Sequence, residues 1–169
     1  MLKIKPPNFK FCPFCGQKLG FRKEEGRTRK YCPPCDWTYY PHVAGGSVAV
    51  IIKNQKVLLV KRNRPPHKNT WSFPAGFIDF GEHPLEALKR EVQEETGLKV
   101  KEAKPIKIIQ NTDDPRSPGH FIFFYRVEVG DGKLKTDEEE NQAIKWFSLK
   151  ERPKIGWISH QEIFKEIQK

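Results

Sequence analysis

The sequence predicts a mixed α/β domain preceded by a small, metal-held β-hairpin module. Three observations carry this. Two Cys-x-x-Cys turns, Cys12 with Cys15 and Cys32 with Cys35, lie in the first quarter of the chain. Paired runs of Val, Ile and Leu at 47–52 and 56–61 read as a strand hairpin. A helical repeat of apolar residues then opens near Pro84 and stops at Gly97, with further strand-like runs behind it. At 12% aromatic, the composition argues against a disordered chain.

The charge is uneven. The chain carries +10, from 31 Lys and Arg against 21 Asp and Glu; residues 1–42 hold nine of those bases and three of those acids. A basic excess favours polyanionic partners such as a nucleotide, RNA or an anionic surface, although a lysine-rich surface also serves solubility. No apolar run is long enough to span a membrane. The opening Met1-Leu2-Lys3-Ile4-Lys5-Pro6-Pro7 lacks the apolar core of a signal peptide, which predicts a cytoplasmic protein.

The module covers 1–42. Its cysteine pairs offer four thiolates for a tetrahedral ion, which suits structural Zn²⁺; four sulfur ligands leave no open position for catalysis. Disulfides, iron and a redox Cys-x-x-Cys are the weaker readings. The segment between the pairs predicts strands at 19–23 and 27–31 around Glu25-Gly26. So small a module has little core, so metal supplies much of its folding energy. Phe9, Phe11, Phe14, Phe21, Tyr31, Trp37, Tyr39 and Tyr40 interleave with Lys and Arg. That pattern admits nucleic-acid binding, with packing of the mini-core as the plainer alternative.

The second domain covers 43–169, with Gly45-Gly46 at the break. After the hairpin come a Pro65-Pro66 loop, a short strand at 71–73 and a glycine-flanked loop at 76–82. In the helix that follows, Leu85, Leu88 and Val92 recur at core spacing. Glu91, Glu94 and Glu95 sit at i, i+3 and i+4 and share a face, with Glu82 and Glu86 nearby. Like charges so close need compensation. Mg²⁺ or Mn²⁺ takes oxygen ligands and bridges phosphate oxygens, so this cluster predicts phosphate chemistry. Strands are expected at 105–110, 120–129 and 143–147, and an amphipathic helix at 159–168.

Gly76, five residues, Glu82, seven residues, then Arg90-Glu91-Val92-Gln93-Glu94-Glu95-Thr96-Gly97-Leu98 matches the Nudix box at every specified position. The second domain therefore resembles the Nudix hydrolases. The resemblance implies an α/β/α sandwich around a mixed sheet and hydrolysis of a pyrophosphate linkage in a nucleotide. It implies Glu91, Glu94, Glu95 and the Gly76 carbonyl as ligands of Mg²⁺ or Mn²⁺. Arg90 pairs with Glu82 as a brace. Glu91 or Glu95 also handles the attacking water, and the sequence does not separate the two. Glu140, six residues before Trp146, aligns with a further metal-reaching glutamate, or belongs to an exposed acidic loop.

Zinc-ribbon cysteines, Tyr39-Tyr40-Pro41 and Ala75-Gly76-Phe77-Ile78-Asp79-Phe80-Gly81-Glu82 together resemble the NADH pyrophosphatase group. That group's Ser-Gln-Pro-Trp-Pro-Phe-Pro segment is absent; Ile109-Gln110-Asn111-Thr112-Asp113-Asp114-Pro115 stands there. Asp114-Pro115-Arg116 before Gly119-His120 looks more like ADP-ribose pyrophosphatases. ADP-ribose or a related dinucleotide such as NADH is thus the expected substrate. The alternative is removal of a nucleotide cap from RNA, with the basic ribbon holding nucleic acid. Arg62, Arg64, Lys68 and Arg116 are candidate phosphate contacts, and Phe80 and His120 candidate substrate contacts. A homodimer is a further expectation from the resemblance.

Overall fold

The computed structural model describes residues 8–151 and 153–169, so Met1 to Pro7, on which the signal-peptide reading rests, lie outside the described residues. The described residues form two compact units, divided between His42 and Val43. No helix among the described residues is long and apolar enough to cross a membrane.

In the first unit, Glu25 and Gly26 both take positive φ (49° and 72°), the mirror-image turn that matches strand twist. They join β1 (Gly20–Glu24) to β2 (Arg27–Cys32) in an antiparallel pair. A third strand beyond the sequence reading, β3 (Trp37–Tyr39), pairs with β2 and sets Trp37 opposite Cys32. Three residues are too few to show a period; only pairing makes them a strand. The core of this unit is Cys12, Leu19 and Cys32, with Trp37 packed against it.

In the second unit, β4 (Gly45–Lys53) turns through Asn54 and Gln55, at φ 51° and 57°, into β5 (Lys56–Arg62). The two strands pair at Ile52–Val57 and Lys53–Lys56 beside the turn. Farther from it they take other partners. β5 pairs with the two-residue β6 (Trp71–Ser72), and the start of β4 pairs with β7 (Ala75–Phe77). This corrects the reading of 76–82 as loop throughout: its first two residues continue a strand. With Gly76 and no apolar alternation, β7 has no sequence signal of its own.

The helix α1 (Pro84–Thr96) follows. His83 caps its start, accepting the Leu85 N–H at 3.2 Å, and Pro84 fills the first turn, where its missing N–H costs nothing. Gly97, left-handed at φ 73°, ends it by donating to Gln93 O at 2.9 Å. Then come β8 (Val100–Gln110), β9 (Phe121–Val129), β10 (Asn141–Ser148) and α2 (Ile158–Glu166). β8 starts earlier than its sequence signal, and its register shifts between Pro105 and Lys107, since proline has no N–H for the ladder.

The sheet runs β10-β5-β4-β9-β8; β4 and β9 are parallel and the other pairs antiparallel. Period-2 alternation divides its side chains between two cores. Val48, Val50, Val57, Leu59, Ile122 and Phe124 pack with Ile163 and Phe164 of α2. Ala49, Ile51, Leu58, Tyr125 and Val127 pack with Leu88 and Val92 of α1. The two faces thus carry one helix each, as an α/β/α sandwich requires. Burying Leu88 and Val92 contributes about 1.5–3 kcal/mol each, and it holds the glutamate-bearing helix at a set rotation.

Candidate active site

A cavity of about 310 Å³ forms where β4 and β5 diverge, walled by β7, α1, the 111–120 loop and the start of α2. Glu91, Glu94 and Glu95 all line it. Their surroundings differ sharply. Glu95 is 4% exposed; its Oε2 accepts the Ala75 N–H and its Oε1 accepts the Asn141 amide, each at 2.8 Å. Burial pushes its carboxyl up to about 7. Glu91 is largely buried against Gly76, and burial raises its carboxyl too. Glu94 stays half exposed.

Arg90 binds the cluster together. Its Nε and Nη2 donate to the two oxygens of Glu82 at 3.0 and 2.9 Å, and Nη2 also donates to Phe77 O at 3.0 Å. Nη1 donates to Glu91 at 2.6 Å and to Glu94 at 3.2 Å. These bonds raise the Arg90 pKa. The paired Arg90 side chain, with the Asp79 N–H, pulls Glu82 down to about 2. Glu82 stands outside the cavity lining; it fixes the guanidinium from behind.

Gly76 is required by space. A Cβ there would lie 1.8 Å from Glu91 Oε1, and a Cβ on Gly46 would lie 3.3 Å from the Gly76 carbonyl oxygen. Gly76→Ala is expected to expel the Glu91 carboxylate, lowering stability by about 1–3 kcal/mol and turnover with it. Thermal melting and steady-state rates check this; a variant melting and turning over as wild type would show that Glu91 has another place to go.

Three arginines from other elements, Arg62, Arg64 and Arg116, also line the cavity. Arg62 is half-buried, its Nε donating to Pro66 O at 2.9 Å and its guanidinium 5.2 Å from the Trp157 ring. Burial, then the nearby Arg116 charge, lowers its pKa. Arg116 donates through Nε and Nη2 to the buried Asp114 at 3.0 and 2.8 Å, and stacks 5.3 Å from the Phe77 ring. Arg64 pairs with Glu140, and both line the cavity. His120 also lines it, 4% exposed, with Nδ1 donating to Ser117 O at 2.6 Å. One cavity therefore holds carboxylates suited to cations and guanidiniums suited to phosphate oxygens.

A NUDIX domain model matches residues 43–167. The chain belongs to the Nudix family. This Nudix hydrolase is 36% identical over 129 residues to the ADP-ribose pyrophosphatase of Methanocaldococcus jannaschii, covering 75% of the chain and 74% of the relative. It is 29% identical over 146 residues to the NAD-capped RNA hydrolase NudC of Klebsiella pneumoniae subsp. pneumoniae, covering 85% of the chain. The chain spans about half the length of that relative, 53%. Its fold is that of a NUDIX hydrolase from Nitrosomonas europaea, at TM-score 0.77 and 24% identity over 95% of this chain and 90% of the other. It also follows the NUDIX domain of Shewanella oneidensis NrtR, solved with ADP ribose, at TM-score 0.64 and 21% identity over 82% of this chain and 92% of that one. The protein is a pyrophosphohydrolase acting on a nucleotide pyrophosphate linkage.

Of the candidate residues, Phe80 and Lys68 are not brought to the cavity of this Nudix hydrolase; Phe80 projects fully into solvent. Among the cavity residues that the sequence reading did not single out as site residues are Asp114, Trp157 and His160. Asp114 had a signal, since Asp114-Pro115-Arg116 spaces a carboxylate to hold its own arginine. His160 had none; it lies 2% exposed in α2, and its Nδ1 accepts the Phe73 N–H at 3.2 Å.

The donors present fit a metal at both sites. The Sγ atoms of Cys12, Cys15, Cys32 and Cys35 lie within 4.8 Å of one another, and those of Cys15 and Cys32 are 3.6 Å apart. A tetrahedral zinc with ~2.3 Å bonds needs sulfurs ~3.8 Å apart, so the cluster fits. Hydrogen bonding to Cys15, with burial, pushes Cys35 up to about 12: four thiols this close do not all ionise without a cation. In the cavity, burial pushes Glu91 and Glu95 toward their neutral forms, and the buried Asn141 Oδ1 has no hydrogen-bond partner. A hard cation satisfies such oxygens and restores carboxylate charge, so these donors suit Mg²⁺ or Mn²⁺.

Proposed function

We propose that this Nudix hydrolase cleaves ADP-ribose, or a related dinucleotide such as NADH, at its pyrophosphate. The observation that carries the reading is the single cavity that Glu91, Glu94 and Glu95 line together with Arg62, Arg64 and Arg116. Two or three guanidiniums suit a diphosphate better than an uncharged group. The 36% identity to an enzyme named ADP-ribose pyrophosphatase supports the same substrate. NADH ranks second. Phe77 and Trp157, the aromatics of the cavity, already stack with Arg116, and the group's aromatic segment is missing.

In this reading Glu91, Glu94, Glu95 and the Gly76 carbonyl hold Mg²⁺ or Mn²⁺, and the four cysteines hold Zn²⁺. The catalytic ions, when bound, supply Lewis-acid polarisation of the phosphoryl oxygens and lower the pKa of water. The residues do the rest. Arg90 and Glu82 keep the glutamates aimed, Arg62 and Arg116 hold the diphosphate, and Glu91 or Glu95 orients the attacking water. Glu140, paired with Arg64, adds a further carboxylate to the cavity lining. Water adds to one phosphorus and the anhydride P–O bond breaks, giving AMP and ribose 5-phosphate from ADP-ribose.

A second reading is cleavage of a nucleotide cap from RNA. The first unit exposes Phe11, Phe14 and Phe21 among lysines and arginines, and aromatic faces with cations suit single-stranded nucleic acid. A panel with Mg²⁺ or Mn²⁺ decides: ADP-ribose, NADH, a sugar nucleotide, nucleoside triphosphates and 5′-capped RNA. The highest kcat/KM is expected for ADP-ribose. A higher value for capped RNA than for the free dinucleotide would replace the first reading with the second, and cleavage of none would sink both.

A further inference from the structure

The helix α2 has no side-chain cap of its own; its N-cap residue is Trp157. The first N–H groups of a helix lack partners within it, and a carboxylate there also complements the helix dipole. The missing acceptor comes from 45 residues away: the Ile158 N–H donates to Asp113 Oδ2 at 3.1 Å. The Ser159 hydroxyl donates to Asn111 Oδ1 at 3.1 Å, both residues buried, which ties the same loop to the same helical turn. His67 Nε2 lies 3.1 Å from Asp113 Oδ2 on the other side. The 111–120 loop is thereby fastened to the start of α2.

Asp113 itself does not line the cavity, but its neighbours on both sides of the fastening do. Trp157 immediately precedes Ile158. Arg116 follows Asp113 by three residues, 5.9 Å from the Trp157 ring, which Arg62 also approaches to 5.2 Å. The place of Arg116 against Trp157 therefore depends on how the loop meets the helix.

We propose that Asp113 is a positioning residue for substrate recognition. By capping α2 from the 111–120 loop, it holds Arg116 and Trp157 together on the cavity wall, where Arg116 meets the diphosphate. This rests on the reading of Arg116 as a phosphate contact. The glutamate wall is built from other elements, so the effect falls on substrate binding rather than on the chemical step.

The test compares Asp113→Ala with Asp113→Asn, whose amide oxygen still accepts the Ile158 N–H. In Asp113→Ala, KM for ADP-ribose with Mg²⁺ is expected to rise about tenfold with kcat kept within about twofold. Hydrogen exchange at the Ile158 and Ser159 amides should quicken, and Asp113→Asn should restore both values. Adding Asp113→Ala to Arg116→Ala should raise KM little further, since both changes remove one contact. An unchanged KM, a fall in kcat alone, Asn no better than Ala, or unchanged exchange would each overturn the proposal. If the wild-type chain cleaves a different nucleotide of the panel, the substrate reading fails. The same KM comparison with that nucleotide then decides the role of Asp113.

Discussion

Glu94→Gln is expected to reduce turnover by about three orders of magnitude, while the melting temperature moves by only a few degrees. Glu94 separates chemistry from folding better than its neighbours. Its carboxylate is half exposed, and its one hydrogen bond in the cluster is to Arg90 at 3.2 Å. Losing an exposed ion pair costs about 0–1 kcal/mol. Losing an oxygen that helps hold a catalytic cation removes several kcal/mol of transition-state stabilisation. Glu95 makes a poorer test, because its two oxygens also secure β7 and β10 through Ala75 and Asn141. Steady-state rates with Mg²⁺ or Mn²⁺ beside a melting curve check this. Near-normal turnover in a folded Glu94→Gln protein would remove Glu94 from the metal set.

Cys32→Ala is expected to abolish metal binding by the first unit and to unfold it, leaving the second unit intact. The magnitudes decide. The first unit has a core of Cys12, Leu19, Cys32 and Trp37, worth a few kcal/mol at about 1.5–3 kcal/mol for each large side chain. A structural four-thiolate zinc is worth about 10–16 kcal/mol of folding free energy. The two core clusters of the second unit contain no residue of the first, so their packing does not need the ion. Elemental analysis of the wild type should find about one zinc per chain, and the variant none. Amides of β2 should lose exchange protection while those of α1 keep theirs. A zinc-free wild type, or a protected β2 in the variant, would end the structural-zinc assignment.

Much of the site was legible because it is local in sequence. The spacing of Glu91, Glu94 and Glu95 converts directly into one helical face, and Pro84 and Gly97 mark the ends of that helix by their own backbone limits. The Arg90–Glu82 brace followed from the family resemblance, and the geometry of both side chains agrees with it. Less legible were β3 and β7, three residues each, which are strands only because β2 and β4 pair with them. Their side chains carry no period long enough to read.

By itself, then, the sequence determined the segment from Gly76 to Leu98, the four thiols and the alternation that splits β4, β5 and β9 between two cores. These depend on helix and strand periods, which are properties of neighbouring residues. The tertiary structure decided which glutamate is buried, and that Phe80 stays in solvent. It also brought Arg62, Arg116 and Trp157 to one wall. Those outcomes join residues tens of positions apart, and only the pairing order of the sheet and the seating of α2 bring them within reach.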